Sequence, residues 1–436
     1  MYLLYSVLLG LAVALTSPWW LARMLVQGKY RAGLGERLGR VPKRLGSAAG
    51  CIWVHAVSVG EVLAVSGVVS GLRTRFPELR VLISTTTASG QKLARERFGE
   101  ENVFYYPLDF GFAIRPYLQA LRPALVVLAE SEFWPNFLRL ARASGAPIAV
   151  VNARVSDRSL PRYLWLRAVW RRVLRGVDLF LAQSDEDARR LVAMGAPEAR
   201  VRVGGNLKFD VAPPESLPAI AMLRRVFEPA TAIVVCGSTA EGEEPVILRA
   251  FACVLEHHPR AALMLAPRHP ERFEAVARLI AGSDLKLWRR SQLVGNESLS
   301  GGVLLLDSIG ELAAVYSLAA VAFVGGSLVP RGGHNILEPA QWGVATLVGQ
   351  HTENFRDIVA VFARASAVKV VSSETFQGEL LRLLDDAAAR RELGDRAAEV
   401  VRQQRGATER TLAALDGLLS GRRPQEAIPA TLETTP

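Results

Sequence analysis

The chain has 436 residues, of which 50% are hydrophobic and 22% charged, and its formal net charge is +10. This composition excludes an intrinsically disordered protein, and the length predicts two or three domains. The positive charge favours an anionic partner: nucleic acid, acidic lipid or a phosphorylated small molecule. The three cysteines, Cys51, Cys236 and Cys253, form no CxxC pair. A disulfide framework and a zinc site are therefore disfavoured.

The N-terminal segment MYLLYSVLLGLAVALTSPWWLA, residues 1–22, contains no charged side chain. About 20 apolar residues are enough to cross a bilayer. A secretory signal peptide carries its positive charges before the apolar run. Here they follow it, as Arg23, Lys29, Arg31, Arg37, Arg40, Lys43 and Arg44, with Glu36 as the one acid among them. The sequence predicts a membrane anchor with the rest of the chain in the cytoplasm. A helix lying in the membrane interface and a buried core helix are the alternatives.

Residues 23–210 alternate between short apolar segments and helical patterns. The predicted strands are 51–57, 80–85, 124–129, 147–152, 177–182 and 201–204, and the predicted helices include 62–75 and 133–143. Near-continuous apolar strands separated by helices are typical of a parallel sheet covered on both faces. This half is predicted to be a doubly wound α/β domain.

VAPPESL, residues 211–217, has two prolines and few core residues, which predicts a linker. The alternation then restarts, with predicted strands at 231–236, 261–266, 303–306, 320–324, 344–348 and 367–371 and a helical region over 374–419. The second domain is predicted over 218–420, and the tail over 421–436 is predicted to be disordered. Two doubly wound domains leave a cleft between them, and ligands bind at the carboxyl ends of such strands.

Three side chains follow strands of the first half. Glu61, in WVHAVSVGEVLA, opens a helix. It is either an acid stabilised by the helix dipole or a general base whose pKa its apolar neighbours raise. Glu130 and Glu132, in AESEFWPN, face opposite ways in an extended segment, which predicts one in the cleft and one at a helix cap. Two capping acids are the alternative. Lys208, in GGNLKFD, either meets a phosphate or carboxylate in the cleft or is a solvated surface lysine.

Three loops follow strands of the second half. They are GSTAEGEE (237–244), APRHPERF (266–273) and GGSLVPRGGHNILEPA (325–340). Small residues allow backbone N–H groups to approach an anion. Arg268 and His269 add polar groups, while Asn335 and Glu338 are predicted to hold a ribose or a base. Together the loops predict a nucleotide pocket, and flexible hinges are the alternative reading of the glycines.

Other site types are disfavoured. The chain has no GxGxxG after a first strand and no Walker A sequence, so a dinucleotide site and a P-loop are not expected. Asp185 and Asp187 have the DxD spacing of metal-dependent sugar transferases, but Ser184 before them favours a helix start. The basic residues are scattered without interleaved aromatics, which disfavours nucleic-acid binding.

Taken together, these residues resemble the membrane-associated 3-deoxy-D-manno-octulosonic acid (Kdo) transferases, which build the inner core of lipopolysaccharide on lipid A. The resemblance runs almost end to end. It is carried by YRAGLGERLG, HAVSVGE, AESEFWPN, VNARVSDRS, GNLKFD, GEE, PRHPERF and FVGGSLVPRGGHNILEPA, of which the last is the most specific.

The resemblance implies a two-domain GT-B glycosyltransferase that is inverting and needs neither a metal nor a cofactor. It implies CMP-Kdo as the donor, bound by the second domain, and a lipid A precursor (lipid IVA) as the acceptor, bound by the first. The expected location is the inner membrane, with the catalytic domains on its cytoplasmic face and anionic lipid near the basic segment 23–44. Two alternatives stay open: a UDP-sugar enzyme on the same fold, and a non-catalytic nucleotide-binding module at a membrane.

The resemblance also assigns residues. The family's catalytic base maps to Glu61, and its transition-state stabilising residues map to Glu130 and Lys208. Its CMP site maps to Pro267, Arg268, Ile309, Gly310, Glu311, Asn335, Ile336, Leu337 and Glu338. The chain departs from the family pattern at Ala240, where relatives often carry histidine, and at Ile336, where many carry proline.

Overall fold

The computed structural model describes residues 1–27, 32–46, 50–212, 218–228 and 231–421. The chain forms two compact units: the first is Met1–Val211 with the segment from Arg405 onward, and the second is Ala212–Gln404. The unit boundary falls at the start of the predicted linker 211–217, whose residues 213–217 lie outside the described residues. Positions 422–436 of the predicted disordered tail also lie outside them, as do Lys29 and Arg31 of the basic segment.

The first unit is built on a seven-stranded parallel sheet. Its strands are β1 (Ile52–His55), β2 (Val81–Thr85), β3 (Val103–Tyr105), β4 (Leu125–Ala129), β5 (Ile148–Ala153), β6 (Leu179–Ala182) and β7 (Val201–Val203). The order is β3-β2-β1-β4-β5-β6-β7, so β1 lies beside β4 although about 70 residues separate them along the chain. This neighbouring pair is the point where the strand order reverses.

Helices cover both faces of this sheet. They are α1 (Tyr2–Gln27), α2 (Leu34–Arg37), α3 (Val59–Arg75), α4 (Ala88–Phe98), α5 (Gly111–Leu121), α6 (Pro135–Ala143), α7 (Leu160–Trp165), α8 (Arg167–Leu174) and α9 (Asp185–Met194). Two separate apolar clusters result, one containing Trp53 and Phe137 and the other containing Val54 and Val65. Adjacent β1 residues enter opposite clusters because side chains alternate across a strand, which explains why the strands are apolar throughout.

The second unit has its own seven-stranded parallel sheet. Its strands are β8 (Ile233–Thr239), β9 (Ala262–Pro267), β10 (Lys286–Arg289), β11 (Gly302–Leu305), β12 (Val321–Val324), β13 (Ala345–Val348) and β14 (Lys369–Val370). Its helices are α10 (Pro218–Val226), α11 (Glu244–His257), α12 (Phe273–Ala281), α13 (Leu312–Val315), α14 (Leu337–Ala340), α15 (Arg356–Arg364), α16 (Phe376–Asp385) and α17 (Ala387–Gln404). The order β10-β11-β9-β8-β12-β13-β14 places β8 beside β12 at the reversal point.

All twelve predicted strands are present, with ends shifted by up to three residues. Two strands were not predicted, β3 and β10, and each lies at an edge of its sheet. The sequence KLWR of β10 is half charged, and the VFY of β3 is only three residues long. Short or charged strands are common at sheet edges, where one side needs no apolar neighbour, so the apolar-run criterion misses them.

The last helix, α18 (Ala407–Leu419), corrects one predicted boundary. The sequence assigned residues 218–420 to the second domain, but α18 packs on α3 in the first unit. Gly71 of α3 lies so close to Leu412 that a side-chain methyl would collide with it. The Asp210 carboxylate accepts hydrogen bonds from the N–H groups of Gly406 and Thr408 at the start of α18. The apolar face of α3 needs a cover, and this C-terminal helix supplies it.

The N-terminal helix α1 is the one helix among the described residues that is long and apolar enough to cross a membrane, over Tyr2–Trp19. None of this stretch is buried, and its mean hydropathy is 1.5. The alternative of a buried core helix is therefore wrong. Length and composition alone leave open whether such a helix spans a bilayer or lies on it.

Candidate functional site

The reversal point of the first sheet brings two predicted site residues together at the carboxyl ends of its central strands. β1 and β4 pair in parallel, with His55 opposite Leu128, so the segments that follow them leave the sheet side by side. Glu61 stands on α3 after β1, and Glu130 comes directly after β4. Their carboxylates are close enough for the charge of Glu130 to act on Glu61.

Glu61 is held as the acid of a helix cap. Ser58 is the N-cap residue of α3, and its hydroxyl donates to Glu61 Oε1 over 2.9 Å. The Val57 N–H donates to Oε2 over 2.8 Å. Ser58-Val59-Gly60-Glu61 thus closely resembles a capping box, in which the acid at the third helical position reaches back to the start of the helix. The structure therefore confirms that Glu61 is an acid at the start of a helix.

The same carboxylate has a strongly shifted proton affinity. Burial and, to a smaller extent, the negative charge of Glu130 together raise the pKa of Glu61 to about 7 from its ordinary 4.5. The hydrogen bonds from Val57 and Ser58 oppose this shift but do not cancel it. A carboxylate with a pKa near 7 is partly ionised at neutral pH and holds a proton firmly once it has taken one. Those are the properties of an efficient general base.

Glu130 adopts a backbone conformation that is uncommon for a glutamate, with φ at 57°. Its N–H donates to the Val151 carbonyl over 2.9 Å, which keeps the turn against β5. Its Oε1 accepts from Lys208 Nζ over 3.0 Å, and both side chains are about three-quarters buried. The structure therefore joins Glu130 and Lys208, two residues that are far apart in sequence.

Lys208 sits in a short turn, Leu207–Asp210, that a set of amides holds in place. Asn206 caps the turn by accepting from the Lys208 N–H, and its Nδ2 donates to Gln183. Asn152 accepts from the Leu207 N–H over 3.0 Å, at a residue whose own φ is 54°. Sequence reasoning did not single out Asn152, Asn206 or Gln183. Asparagine at a strand end was the available signal, because it tolerates positive φ and binds nearby backbone.

Glu132 was predicted as the alternative cleft or capping acid, and it caps no helix. Its carboxylate accepts from the Trp134 indole N–H over 2.8 Å. The start of α6 is capped by Asp109, which accepts from the N–H groups of Asn136 and Phe137 over 3.1 and 2.7 Å. Burial raises the pKa of Glu132. The capping prediction fails because the capping acid comes from a different part of the chain.

Ser184 confirms the reading of the DxD segment as a helix start. It is the N-cap residue of α9, and its hydroxyl accepts from the Asp187 N–H and donates to the Asp187 carboxylate. Asp187 also accepts from the Val155 N–H over 2.8 Å. Within the described ranges, no three His, Cys, Asp or Glu side chains have a metal-binding arrangement.

The reversal point of the second sheet is organised by a buried acid, Glu243. It is fully buried, and its carboxylate accepts four backbone N–H groups over 2.7–2.9 Å. The donors are Ala240, after β8, and Gly326, Ser327 and Leu328, after β12. The prediction left such N–H groups available to a bound anion. In this loop they already have an anion, supplied by the protein itself.

Glu244, next in the chain, is also fully buried and ties two other loops together. It accepts from Thr239 Oγ1 over 3.0 Å and forms an ion pair with Arg272. The EGEE sequence is thus a structural clamp across the ends of β8, β9 and β12. Two consecutive acids at a helix start were the sequence signal for it.

The predicted CMP-site residues belong to three segments of the second unit, of which the first two follow β9 and β11. Pro267 ends β9, and the N–H of the exposed Arg268 donates to the Thr239 carbonyl over 3.0 Å. Ile309 is 80% exposed, and Gly310 has φ at 91°. Glu311 pairs with Arg290 through two hydrogen bonds, over 3.0 and 2.8 Å. Pro267 and Arg268 therefore lie at the end of β9, and Ile309, Gly310 and Glu311, which only the family resemblance assigned, follow β11.

Four predicted residues surround the short helix α14. Ile336 and Leu337 are core residues with 0% and 1% exposure, so any ligand contact from them comes from the backbone. Asn335 accepts from the Leu337 N–H and donates to Glu338 over 3.4 Å. Burial raises the pKa of Glu338 to about 6, against the opposing effects of Asn335 and the nearby Arg268.

His334 adjoins this group in the same unit. Burial and, to a smaller extent, the charges of Arg268 and His269 together lower the pKa of His334 to about 4. His334 is therefore neutral at pH 7, with one ring nitrogen as donor and one as acceptor. The arrangement places a guanidinium, a neutral imidazole and a carboxyl group close together, the groups that phosphate and sugar hydroxyls bind.

Comparison with known proteins identifies the family of this chain. The family model described as 3-deoxy-D-manno-octulosonic-acid transferase (kdotransferase) matches residues 32–211. The 3-deoxy-D-manno-octulosonic acid transferase of Bordetella pertussis is 36% identical over 423 residues, covering 94% of this chain and 97% of that protein. The one of Haemophilus influenzae is 34% identical over 389 residues, covering 88% and 91%. The chain belongs to the Kdo transferase family.

A solved structure bears on the fold of this Kdo transferase family member. A putative UDP-N-acetylglucosamine 2-epimerase from Listeria monocytogenes matches 88% of this chain and 100% of its own, with a TM-score of 0.59 and 15% identity. At this identity the likeness concerns the fold alone, and with the two seven-stranded sheets it confirms the predicted GT-B fold. Glu61, Glu130 and Lys208 all lie within the range that the Kdo transferase family model matches.

Proposed function

We propose that this chain transfers Kdo from CMP-Kdo to a lipid A precursor, lipid IVA, with inversion at the anomeric carbon and with Glu61 as the general base. Membership of the Kdo transferase family supports the transfer of Kdo in lipopolysaccharide synthesis. The observation that carries the base assignment is the buried Glu61 carboxylate, whose pKa is raised to about 7 at the reversal point of the first sheet.

In this mechanism, an acceptor hydroxyl gives its proton to Glu61 while its oxygen attacks the anomeric carbon of the donor. The new carbon–oxygen bond forms on the face opposite to the bond that breaks, and CMP leaves with the electron pair of that bond. Glu61 then releases the proton to water. Two acceptor sites on Glu61 are occupied by Val57 and Ser58, but each carboxylate oxygen has a second lone pair.

Lys208 and Glu130 would act on charge. The Lys208 ammonium forms an ion pair with Glu130 and has two further N–H donors. We assign these donors to a carboxylate or phosphate of the donor substrate. Glu130 in turn holds Lys208 in position and keeps the pKa of Glu61 raised.

The second unit would bind the donor. The exposed Arg268 side chain is assigned to the phosphate of CMP, where its charge would stabilise the leaving group without a metal. Asn335 and Glu338 would accept and donate hydrogen bonds to the ribose. We place the enzyme at the inner membrane, with both units on its cytoplasmic face and anionic lipid near residues 23–44. The apolar helix α1 supports membrane association.

The test is transfer by Glu61→Gln, measured by mass spectrometry of lipid IVA incubated with enzyme and CMP-Kdo. Glutamine keeps the capping contacts, since its carbonyl accepts from Val57 and its amide donates to Ser58. Turnover is expected to fall by at least about 100-fold, the usual contribution of a general base. Glu132→Gln, another buried acid of the same region, serves as the matched control. A folded Glu61→Gln protein with near wild-type turnover would remove Glu61 from the mechanism.

A further inference from the structure

The first two turns of α1 are fastened to the first unit by polar contacts. Asn136 Nδ2 of α6 donates to Ser6 Oγ over 2.9 Å. The Tyr5 hydroxyl is hydrogen-bonded to the Asp109 carboxylate. The Arg139 guanidinium lies 5.0 Å from the centre of the Tyr2 ring. Residues 2, 5 and 6 share one face of a helix, so this face is directed at the domain.

The partners of these contacts are rigid parts of the fold. Asp109 and Asn136 are 4% and 1% exposed, and Asp109 also caps α6 through two backbone N–H groups. Further along the same face of the helix, Gly10 lies against the ring of Phe110. The docked face of α1 therefore continues for about two and a half turns, over residues 2–10.

This attachment is incompatible with a helix that crosses the bilayer. α1 has 26 residues and is about 39 Å long, so its N-terminal end would emerge on the far side of the membrane. Tyr5 and Ser6 would then lie a full bilayer away from Asp109 and Asn136. The Tyr5–Asp109 and Ser6–Asn136 hydrogen bonds would then be lost, which is costly at groups as buried as Asp109 and Asn136.

The opposite face of α1 is apolar and exposed. Its side chains are Leu3, Leu4, Val7, Leu8, Leu11 and Leu15. They follow helical spacing, and Leu15 is 82% exposed. A continuous apolar face of this length has no protein cover among the described residues of the unit.

A second exposed apolar surface lies on α7 and α8. Trp165 is 84% exposed, and Leu164, Leu166 and Val169 are exposed beside it. Six arginines on or beside the same two helices are also exposed: Arg158, Arg162, Arg167, Arg171, Arg172 and Arg175. Tyr2 of α1 and Trp170 of α8 pack on the same apolar cluster as α6. Both surfaces therefore lie on one side of the first sheet, opposite to α3 and α18.

We propose that α1 lies in the plane of the membrane and that, together with α7 and α8, it forms a lipid face that binds an anionic phospholipid bilayer. Apolar side chains and tryptophan enter the boundary between head groups and acyl chains, while the arginine heads stay at the phosphates. The cluster of arginines selects a negatively charged surface. The lipid face goes beyond the proposed reaction and does not depend on it.

The first test determines on which side of the membrane the two ends of the full chain lie. Short protease-cleavable tags are placed at both termini, and protease is added to sealed membrane vesicles of known orientation. An in-plane α1 predicts that both tags are cleaved in the same vesicles. Cleavage of the two tags in vesicles of opposite orientation would show a spanning helix and overturn the proposal.

The second test asks whether α8 touches lipid. An environment-sensitive fluorophore is attached to Ala168→Cys in a Cys253→Ser background, since Cys51 and Cys236 are buried. The full chain is reconstituted in vesicles of phosphatidylethanolamine and phosphatidylglycerol. Emission from position 168 should shift to the blue relative to detergent-free buffer. Ala413→Cys, exposed on α18 at the opposite side of the sheet, is the matched control and should not shift.

Two outcomes of this second test would contradict the proposal. Equal emission from positions 168 and 413 would show that α8 does not touch lipid. A shift at position 168 that is unchanged when phosphatidylcholine replaces phosphatidylglycerol would remove the arginines from lipid binding. Neither measurement uses CMP-Kdo, so its failure is distinguishable from a failure of the proposed reaction.

Discussion

Replacing Glu61 by glutamine should change how the stability of the first unit depends on pH. The folded state holds the Glu61 proton with a pKa of about 7, against an ordinary value of 4.5. Since the folded pKa is the higher one, the stabilisation is fully present below pH 4.5 and is lost as the pH rises through 7. A difference of about 2.5 pKa units corresponds to about 3 kcal/mol. Glutamine does not titrate, so the variant escapes this loss.

Hydrogen exchange of the β1 and β4 peptides, followed by mass spectrometry in detergent, measures the free energy of opening of the first unit. Local opening is the suitable quantity because a chain with two units need not unfold in one step. Between about pH 5 and about pH 8, the opening free energy of Glu61→Gln should rise relative to wild type by about 2–3 kcal/mol. Glu96→Gln, on the exposed part of α4, controls for the loss of one carboxylate.

A difference between Glu61→Gln and wild type that stays constant over this pH range would refute the reasoning. It would show that burial does not raise the pKa of Glu61, and the assignment of Glu61 as base would lose its physical support. The result is independent of turnover, so it separates the proton affinity of Glu61 from its role in transfer.

Three further results are expected. Lys208→Met should lower turnover by about 100-fold or more through the loss of charge stabilisation, while CMP still protects against thermal unfolding, because the proposed CMP site is in the second unit. Unchanged turnover would contradict the role of Lys208. Glu243→Gln should weaken CMP binding, measured by calorimetry, about tenfold or more, because the glutamine NH2 group would face backbone N–H groups that the wild-type carboxylate accepts from. Wild-type affinity would show that this clamp does not shape the site. Asp210→Asn should destabilise α18 by about 1 kcal/mol through loss of a charged cap, seen as faster hydrogen exchange over 407–419, and unaltered exchange would argue against the cap.

The candidate site was predictable from the sequence as a set of positions. Glu61, Glu130 and Lys208 each follow a predicted strand, and in parallel sheets ligands bind at the carboxyl ends of the strands. What the pattern left open was which positions meet. Glu130 meets Lys208 because β4, β5, β6 and β7 lie in order, and because Asn152 and Asn206 hold the turn that carries Lys208.

Glu243 and Asp109 show the limit of local reasoning from the other side. Each is an acid whose partners come from distant parts of the chain: the loop after β12 for Glu243, and the start of α6 for Asp109. Glu243 accepts from backbone N–H groups that the sequence analysis left for a bound anion. Asp109 accepts from the N–H groups at the start of α6, for which the sequence analysis expected a nearer acid. Hydrogen-bond partners of this kind depend on the order of strands and helices in space, and local sequence does not specify that order.

The sequence by itself determined the two parallel α/β halves, the positions of twelve of the fourteen strands in the described part of the chain, and the strand ends where polar residues collect. These features follow from the hydrophobic pattern of neighbouring residues, which indicates strands and helices before their arrangement in space is known. The tertiary structure alone decided that β1 adjoins β4, that α18 covers α3, and that the first turns of α1 are held by Asp109 and Asn136. It also decided the proton affinity of Glu61, because burial depends on every segment that packs around a group and not on its neighbours in the chain.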